Sequence, residues 1–294
     1  MPSTQFSPVL VVGASGKVGS EVVRLLEARG VTVRAASRTP QARKAQCTTT
    51  EWVRLDLEQP SSFETVLQGI QTVLLMARPG DERPQETALP LLEAMERAGV
   101  TRVVNLTAMG CDMRPDFGLR KVELALESSG MGYTHIRPNF FMQIFCVGPH
   151  FAQISRLRQV RLPAGDARIS FIDARDVAAV AARCILETEH QGRAYTLTGA
   201  EALSHADVTQ IISRVSDAAV HYVPLDESEA RSEFTRAGIP AENVERLLGF
   251  YRIVRTGAAG AISPDVERVL GSAPRGFNAF AEQNASTWNR VARP

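Results

Sequence analysis

The run Val9-Leu10-Val11-Val12 leads straight into Gly13-Ala14-Ser15-Gly16-Lys17-Val18-Gly19, and this junction constrains the fold more than any other segment. Consecutive apolar residues after Pro8 suit a strand covered on both faces, as in a parallel sheet. The Gly-x-x-Gly-x-x-Gly spacing then turns the chain sharply into an amphipathic helix predicted over Lys17–Ala28. Glycine keeps side chains off the turn, and the last glycine lets the helix pack close to the sheet. Amide N–H groups at a helix start carry the positive end of the dipole, so a pyrophosphate is the natural ligand. Any tight strand-to-helix turn also favours glycine. The strand before it and the helix after it make dinucleotide binding the preferred reading.

Strand and helix patterns go on alternating, which predicts an α/β fold built on a Rossmann-like, doubly wound parallel sheet. Strands are expected at Thr32–Ala36, Trp52–Leu55, Thr72–Met76, Arg102–Thr107, Tyr133–Ile136, Ile169–Ile172 and Ala194–Thr198. Helices are expected at Ser61–Gln68, Glu86–Ala98, Phe117–Ser128 and Ala174–Glu187. Beyond Gly199 the pattern is mainly helical, ending in a helix around Phe277–Asn289. The division read from this is a nucleotide-binding body over 1–150, a mixed segment returning to it over 151–200, and a smaller helical substrate region over 201–294.

Composition narrows the function classes. Lys plus Arg is 33 against Asp plus Glu at 32, which leaves no basic surplus for a nucleic-acid backbone. No apolar segment approaches the roughly 20 residues that span a bilayer, and Met1–Pro8 does not read as a signal peptide. The four cysteines are widely spaced and the five histidines scattered, so no metal site is expected and the thiols fit a reducing, cytoplasmic setting. Monomer and homodimer both stay open.

An NAD-selective site keeps a carboxylate at the end of its second strand. This chain has Ser37-Arg38 there, and Arg38 suits the 2′-phosphate of NADP(H). Asp56-Leu57 ends the third strand, where the carboxylate suits the adenine amino group. Ala77-Arg78-Pro79 follows the fourth strand on the same carboxyl edge, and Thr107 follows the fifth, nearer the nicotinamide. Each of these also has a plain structural reading, as a loop charge or a turn residue.

These residues resemble the NmrA-like, atypical branch of the short-chain dehydrogenase/reductase superfamily. The likeness is carried by the glycine turn, Ser37-Arg38, Asp56-Leu57, and Ser129 through Met142 with its Arg137-Pro138-Asn139-Phe140-Phe141 core. Ile169 through Ala178 and Gly192 through Gly199 extend it. The resemblance implies an NADP-binding body, a small C-terminal substrate region, and a Pro138–Phe141 loop beside the nicotinamide. It also implies quinone, dye or ergot-alkaloid-type reduction, or non-enzymatic redox sensing. One departure matters. The usual proton donor is the tyrosine of Tyr-x-x-x-Lys, and here the stretch reads Phe117-Gly118-Leu119-Arg120-Lys121. Lys121 is left to hold the nicotinamide ribose, and Thr107 is the nearest hydroxyl to polarise an acceptor. Phe117, Phe141 and Phe145 are expected to wall a pocket for a flat apolar small molecule, although core packing is the commoner fate of such rings.

The expected activity is NADPH-dependent hydride transfer to an electrophilic, largely apolar substrate of the quinone, enone, iminium or polyketide kind, a chemistry of secondary metabolism. An NADP(H) sensor is the alternative, and an isomerase or cyclase the weaker one.

Overall fold

The computed structural model describes residues 7–40, 50–78, 80–81, 83–216 and 218–289. In chain order its strands are β1 Val9–Val12, β2 Val33–Ser37, β3 Thr50–Arg54, β4 Thr72–Met76, β5 Arg102–Leu106, β6 Gly132–Pro138, β7 Gln159–Leu162, β8 Arg193–Leu197 and β9 His221–Pro224. Its helices are α1 Lys17–Glu27, α2 Phe63–Leu67, α3 Pro84–Arg97, α4 Gly118–Ser128, α5 Pro149–Leu157, α6 Ala174–Leu186, α7 His205–Val215, α8 Glu227–Arg236, α9 Ala241–Arg255, α10 Asp265–Leu270 and α11 Phe277–Asn289. Among the described residues no helix is long and apolar enough to cross a membrane.

Two compact units share the chain. The first comprises 1–138, 174–197 and 265–272, and the second 139–173, 198–264 and 273–294. The first boundary therefore falls directly after β6 rather than at 150. The return to the first unit is confined to 174–197 and the short α10 segment.

Unit 1 is a seven-stranded sheet in the order β3-β2-β1-β4-β5-β6-β8, every pair parallel. This is the Rossmann-like arrangement, with the order reversing beside β1. Alternate residues face opposite layers. Leu10, Val12, Val73, Leu75 and Val103 share a core with Leu91, Leu92 and Met95 of α3 and Val122 and Leu126 of α4. On the other side α1 packs with α6, whose alanines permit close approach. With both faces covered, β1 is buried at all four positions.

Unit 2 centres on Met142, Phe145, Phe171, Phe277, Phe280 and Trp288. The Trp288 indole donates to the Phe145 carbonyl at 2.8 Å, fixing α11 on the segment after β6. Strands β7 and β9 pair in parallel here. The strand expected at Ile169–Ile172 does not form. Ile169 N donates to Leu203 O, Ser170 N to Ala259 O and Ile172 N to Phe140 O, so its amides go to three different segments and no ladder can develop.

Candidate functional site

The carboxyl ends of the unit 1 strands are knitted into one edge. Ala14 N donates to Ala36 O at 3.0 Å, tying the glycine turn to the end of β2. Leu55 N donates to Ser37 O at 3.1 Å, which sets Asp56-Leu57 beside Ser37-Arg38. A Cβ on Gly13 would lie 3.1 Å from the Met76 sulfur, so the turn abuts the end of β4, where Ala77-Arg78 follow. Thr107 N donates to Ile136 O and Met109 N to Pro138 O, carrying the edge on to β6. The structure thus brings Gly13, Arg38, Asp56, Leu57, Ala77, Arg78, Thr107 and Pro138 to the same side of the sheet. Pro79 lies outside the described residues.

The glycine turn is shaped as an anion seat. Gly13 sits at φ +71°, a left-handed conformation that glycine adopts without cost. A Cβ on Gly19 would fall 2.3 Å from Gly13 O and 2.9 Å from the Ala14 Cα, so only glycine lets α1 start this close to the strand. No side chain caps α1, and its first turn holds no acidic residue. Ser15, Gly16 and Lys17 are exposed there, while Ala14 and Val18 are buried beneath. Arg38 is exposed and, among the described residues, has no ion pair or side-chain hydrogen bond.

Farther along the edge lies a buried charge network that sequence reading missed. The Glu123 carboxylate of α4 is fully buried and takes both arms of the Arg137 guanidinium, Nε at 2.9 Å and Nη2 at 2.8 Å. It also accepts from Arg120 at 2.8 Å, the Thr107 hydroxyl at 2.8 Å and the Cys111 thiol at 3.1 Å. Burial alone would raise this carboxyl, but the hydrogen bonds from Arg137, Cys111 and Thr107 outweigh it and hold it down at about 2. Burial dominates at Cys111, pushing its thiol up to about 11. The signal was present in the sequence: Glu123 interrupts the inward-facing stripe Leu119, Val122, Leu126, and Arg137 stands near the end of β6, a strand paired on both sides. Opposite charges on two buried elements imply a pair.

Thr107 is part of this network. A hydroxyl has one proton, and Thr107 gives its proton to an ionised carboxylate. At the β5–α4 junction the Thr107 hydroxyl is thus turned to Glu123. Lys121 is exposed two residues before buried Glu123, on the far side of the helix, since two residues turn it about 200°. Phe117 precedes α4, half-buried, with the Arg114 guanidinium 5.2 Å from its ring centre.

The matched region of an NAD(P)H-binding family model runs over residues 13–188, opening on the first glycine of the turn. The chain belongs to the NAD(P)H-binding family. Two relatives of this NAD(P)H-binding protein span nearly the same length. The NAD(P)H azoreductase of Xenophilus azovorans is 30% identical over 95% of this chain and 99% of its own. The (4-alkanoyl-5-oxo-2,5-dihydrofuran-3-yl)methyl phosphate reductase of Streptomyces griseus is 31% identical over 95% and 99%. Among solved structures, the triphenylmethane reductase of Citrobacter sp. complexed with NADP(H) superposes with a TM-score of 0.79 at 22% identity, covering 95% of this chain and all of that one. That likeness is one of fold. The residues present fit the dinucleotide: an uncapped helix start above a glycine turn, no carboxylate in its first turn, and an exposed arginine just after β2 that has no ion pair among the described residues.

Past Pro138 the expected nicotinamide loop belongs to unit 2. The Asn139 amide donates to Ser170 Oγ and to Ala259 O, both at 2.8 Å, so it clamps backbone segments of that unit. Phe140 is half-buried, with its ring 5.1 Å from Phe250. Phe141 is half-buried and bridges to Ile172. Phe145 has no exposed surface and packs edge-on to Phe171 and Phe277, so it is a core ring rather than a pocket wall.

Proposed function

We propose that this NAD(P)H-dependent oxidoreductase uses NADPH to reduce an electrophilic, largely apolar small molecule, of the quinone, conjugated enone, iminium or cationic dye class. Bound reduced nicotinamide supplies the hydride. The glycine turn and the α1 N-terminus hold the pyrophosphate, Arg38 the 2′-phosphate, and Lys121 the nicotinamide ribose. The observation that carries the reading is the commitment of the Thr107 proton to Glu123, with Phe117 at the tyrosine position of Tyr-x-x-x-Lys, so that neither of these two side chains is an acid for an acceptor oxygen. Acceptors that tolerate a developing anion, or that carry their own positive charge, do not need one. The azo and oxo-dihydrofuran acceptors in the two relatives' names are conjugated, in keeping with this class.

Two measurements check it. NADPH is expected to bind at least about tenfold tighter than NADH, roughly 1.4 kcal/mol from one charge-assisted contact, and Arg38→Ala to remove most of that gap with NADH binding unchanged. Equal affinities in the native protein would sink the cofactor assignment. With NADPH in excess, kcat/KM for a quinone or enone is expected to exceed that for an unactivated ketone of similar size by about 100-fold or more, the scale of missing general-acid help. Fast reduction of the plain ketone alone means that another acid serves the site. NADPH binding without turnover of any acceptor in the panel favours a redox sensor.

A further inference from the structure

Two imidazoles meet inside unit 2. His205 opens α7 with 1% of its surface exposed, and half-buried His150 stands in the first turn of α5 with its ring centre 6.1 Å away. Other aromatic rings close in around them. Tyr222 stacks on His205 at 5.4 Å, Phe171 and Phe145 lie edge-on to it at 5.9 and 6.1 Å, and Phe145 also meets His150 at 5.6 Å. His205 Nδ1 is buried with no hydrogen-bond partner among the described residues. Such a ring is stable when neutral and costly to charge. Phe145 ties the pair to the centre of unit 2, since its carbonyl holds the Trp288 indole at 2.8 Å and its ring packs on Phe277.

The charged groups nearby are already engaged or lie in solvent. On α7 itself Asp207 accepts from Ser204 N and lies 3.2 Å from Arg168, while Arg214 is exposed, as is Arg156 on α5. Of the elements packed on these helices, β7 brings Arg161, bound to Glu233, and β9 brings Tyr222 and exposed His221. The turn Met142–Phe145 has no titratable residue, its Gln143 donates to buried Asp173, and α11 brings exposed Glu282. Burial and the neighbouring His150 push His205 down to about 3, and burial pushes His150 down to about 4, with no carboxylate to oppose it. An opened chain returns both rings to the ordinary 6.5, so stability is whole above that pH and falls as the pH drops towards 4. We propose that His150 and His205 form an acid-release device: in mild acid both rings take up protons and the core around Phe145 and Trp288 opens, and at neutral pH it closes again. The device lies within unit 2 and does not depend on the cofactor reading.

Trp52→Phe leaves Trp288 as the one tryptophan of the chain and so makes its fluorescence a reporter of unit 2. In that background the emission is expected to move to the red between about pH 6.5 and 4 and to return on neutralisation. His205→Phe and His150→Phe each keep a ring and remove a proton site. Each is expected to move the emission midpoint to lower pH, and to reduce the pH dependence of the urea unfolding constant by about tenfold per pH unit, the share of one proton. An emission that stays unchanged down to about pH 4 overturns the proposal, as does native pH dependence retained by both folded variants. If neither variant folds, a proton NMR titration of the native imidazoles decides. A His205 ring that titrates near its ordinary value in the folded protein overturns the device, and one that stays neutral until the core opens upholds it.

Discussion

Glu123→Ala is expected to lower the free energy of unfolding by about 3 kcal/mol, because it strips the buried, two-armed carboxylate from a guanidinium that keeps only Asp112. Arg137 is only 8% exposed, and Glu123 takes two of its donors, so the variant leaves the guanidinium with Asp112, 2.9 Å from Nη1, as its remaining carboxylate among the described residues. The Thr107 hydroxyl and the Cys111 thiol lose an acceptor at the same time. Replacing both charges, as in Glu123→Leu/Arg137→Met, should cost far less than either single change, since a buried pair gives back in Coulomb attraction little more than it loses in hydration. The sign of the pH dependence follows from the depressed carboxyl. Its folded value is about 2 against an ordinary 4.5, so the native protein has this stabilisation above about pH 4.5 and loses it as pH falls towards 2. Glu123→Ala should lack that acid-sensitive component. Urea midpoints across this pH range check both points, and a cost below about 0.5 kcal/mol, the scale of an ordinary surface change, would show that the network carries no stability.

How far the chain could be read depended on whether its signals were local. The run Val9–Val12, the turn after it and β4 at Thr72–Met76 stand in the structure where the pattern put them, because a strand buried on both faces is uniformly apolar. Helix α5 escaped notice since only Ile154 is buried along its length, leaving no apolar stripe to detect. Strands β7 and β9 have four residues each and owe their existence to a partner about sixty residues away. Ile169–Ile172 failed for the opposite reason: its apolar content is that of a strand, but the hydrogen-bond partners around it are scattered. At the site, the glycine turn, Arg38, Asp56-Leu57 and Thr107 were legible as positions after strands. The role of Thr107 was not, because its proton goes to Glu123, sixteen residues away and of a type usually assigned to the surface.

Gly16→Val is expected to weaken NADPH binding by about 100-fold or more, some 2.7 kcal/mol, while the protein stays folded. Among the three glycines of the turn this is the informative one to change. Gly19 admits no side chain: its Cβ would meet the Gly13 carbonyl and the Ala14 backbone, so α1 would have to move and lost binding would report only damaged packing. Gly13 is held at φ +71°, where an alanine adds backbone strain of about 1–2 kcal/mol before any ligand is considered. Gly16 precedes α1 at φ −79° and ψ 174°, extended backbone open to any residue, and its Cβ would meet one backbone atom, Gly13 O at 3.2 Å, a tight contact that a shift of a few tenths of an ångström relieves. Valine there is tolerated by the fold, yet it sets a branched side chain over the exposed start of α1, against the amides that the pyrophosphate needs. Calorimetry of NADPH binding, with melting curves for the native and variant proteins, separates the two effects. A folded Gly16→Val that binds NADPH at native strength would remove the glycine turn from the cofactor site.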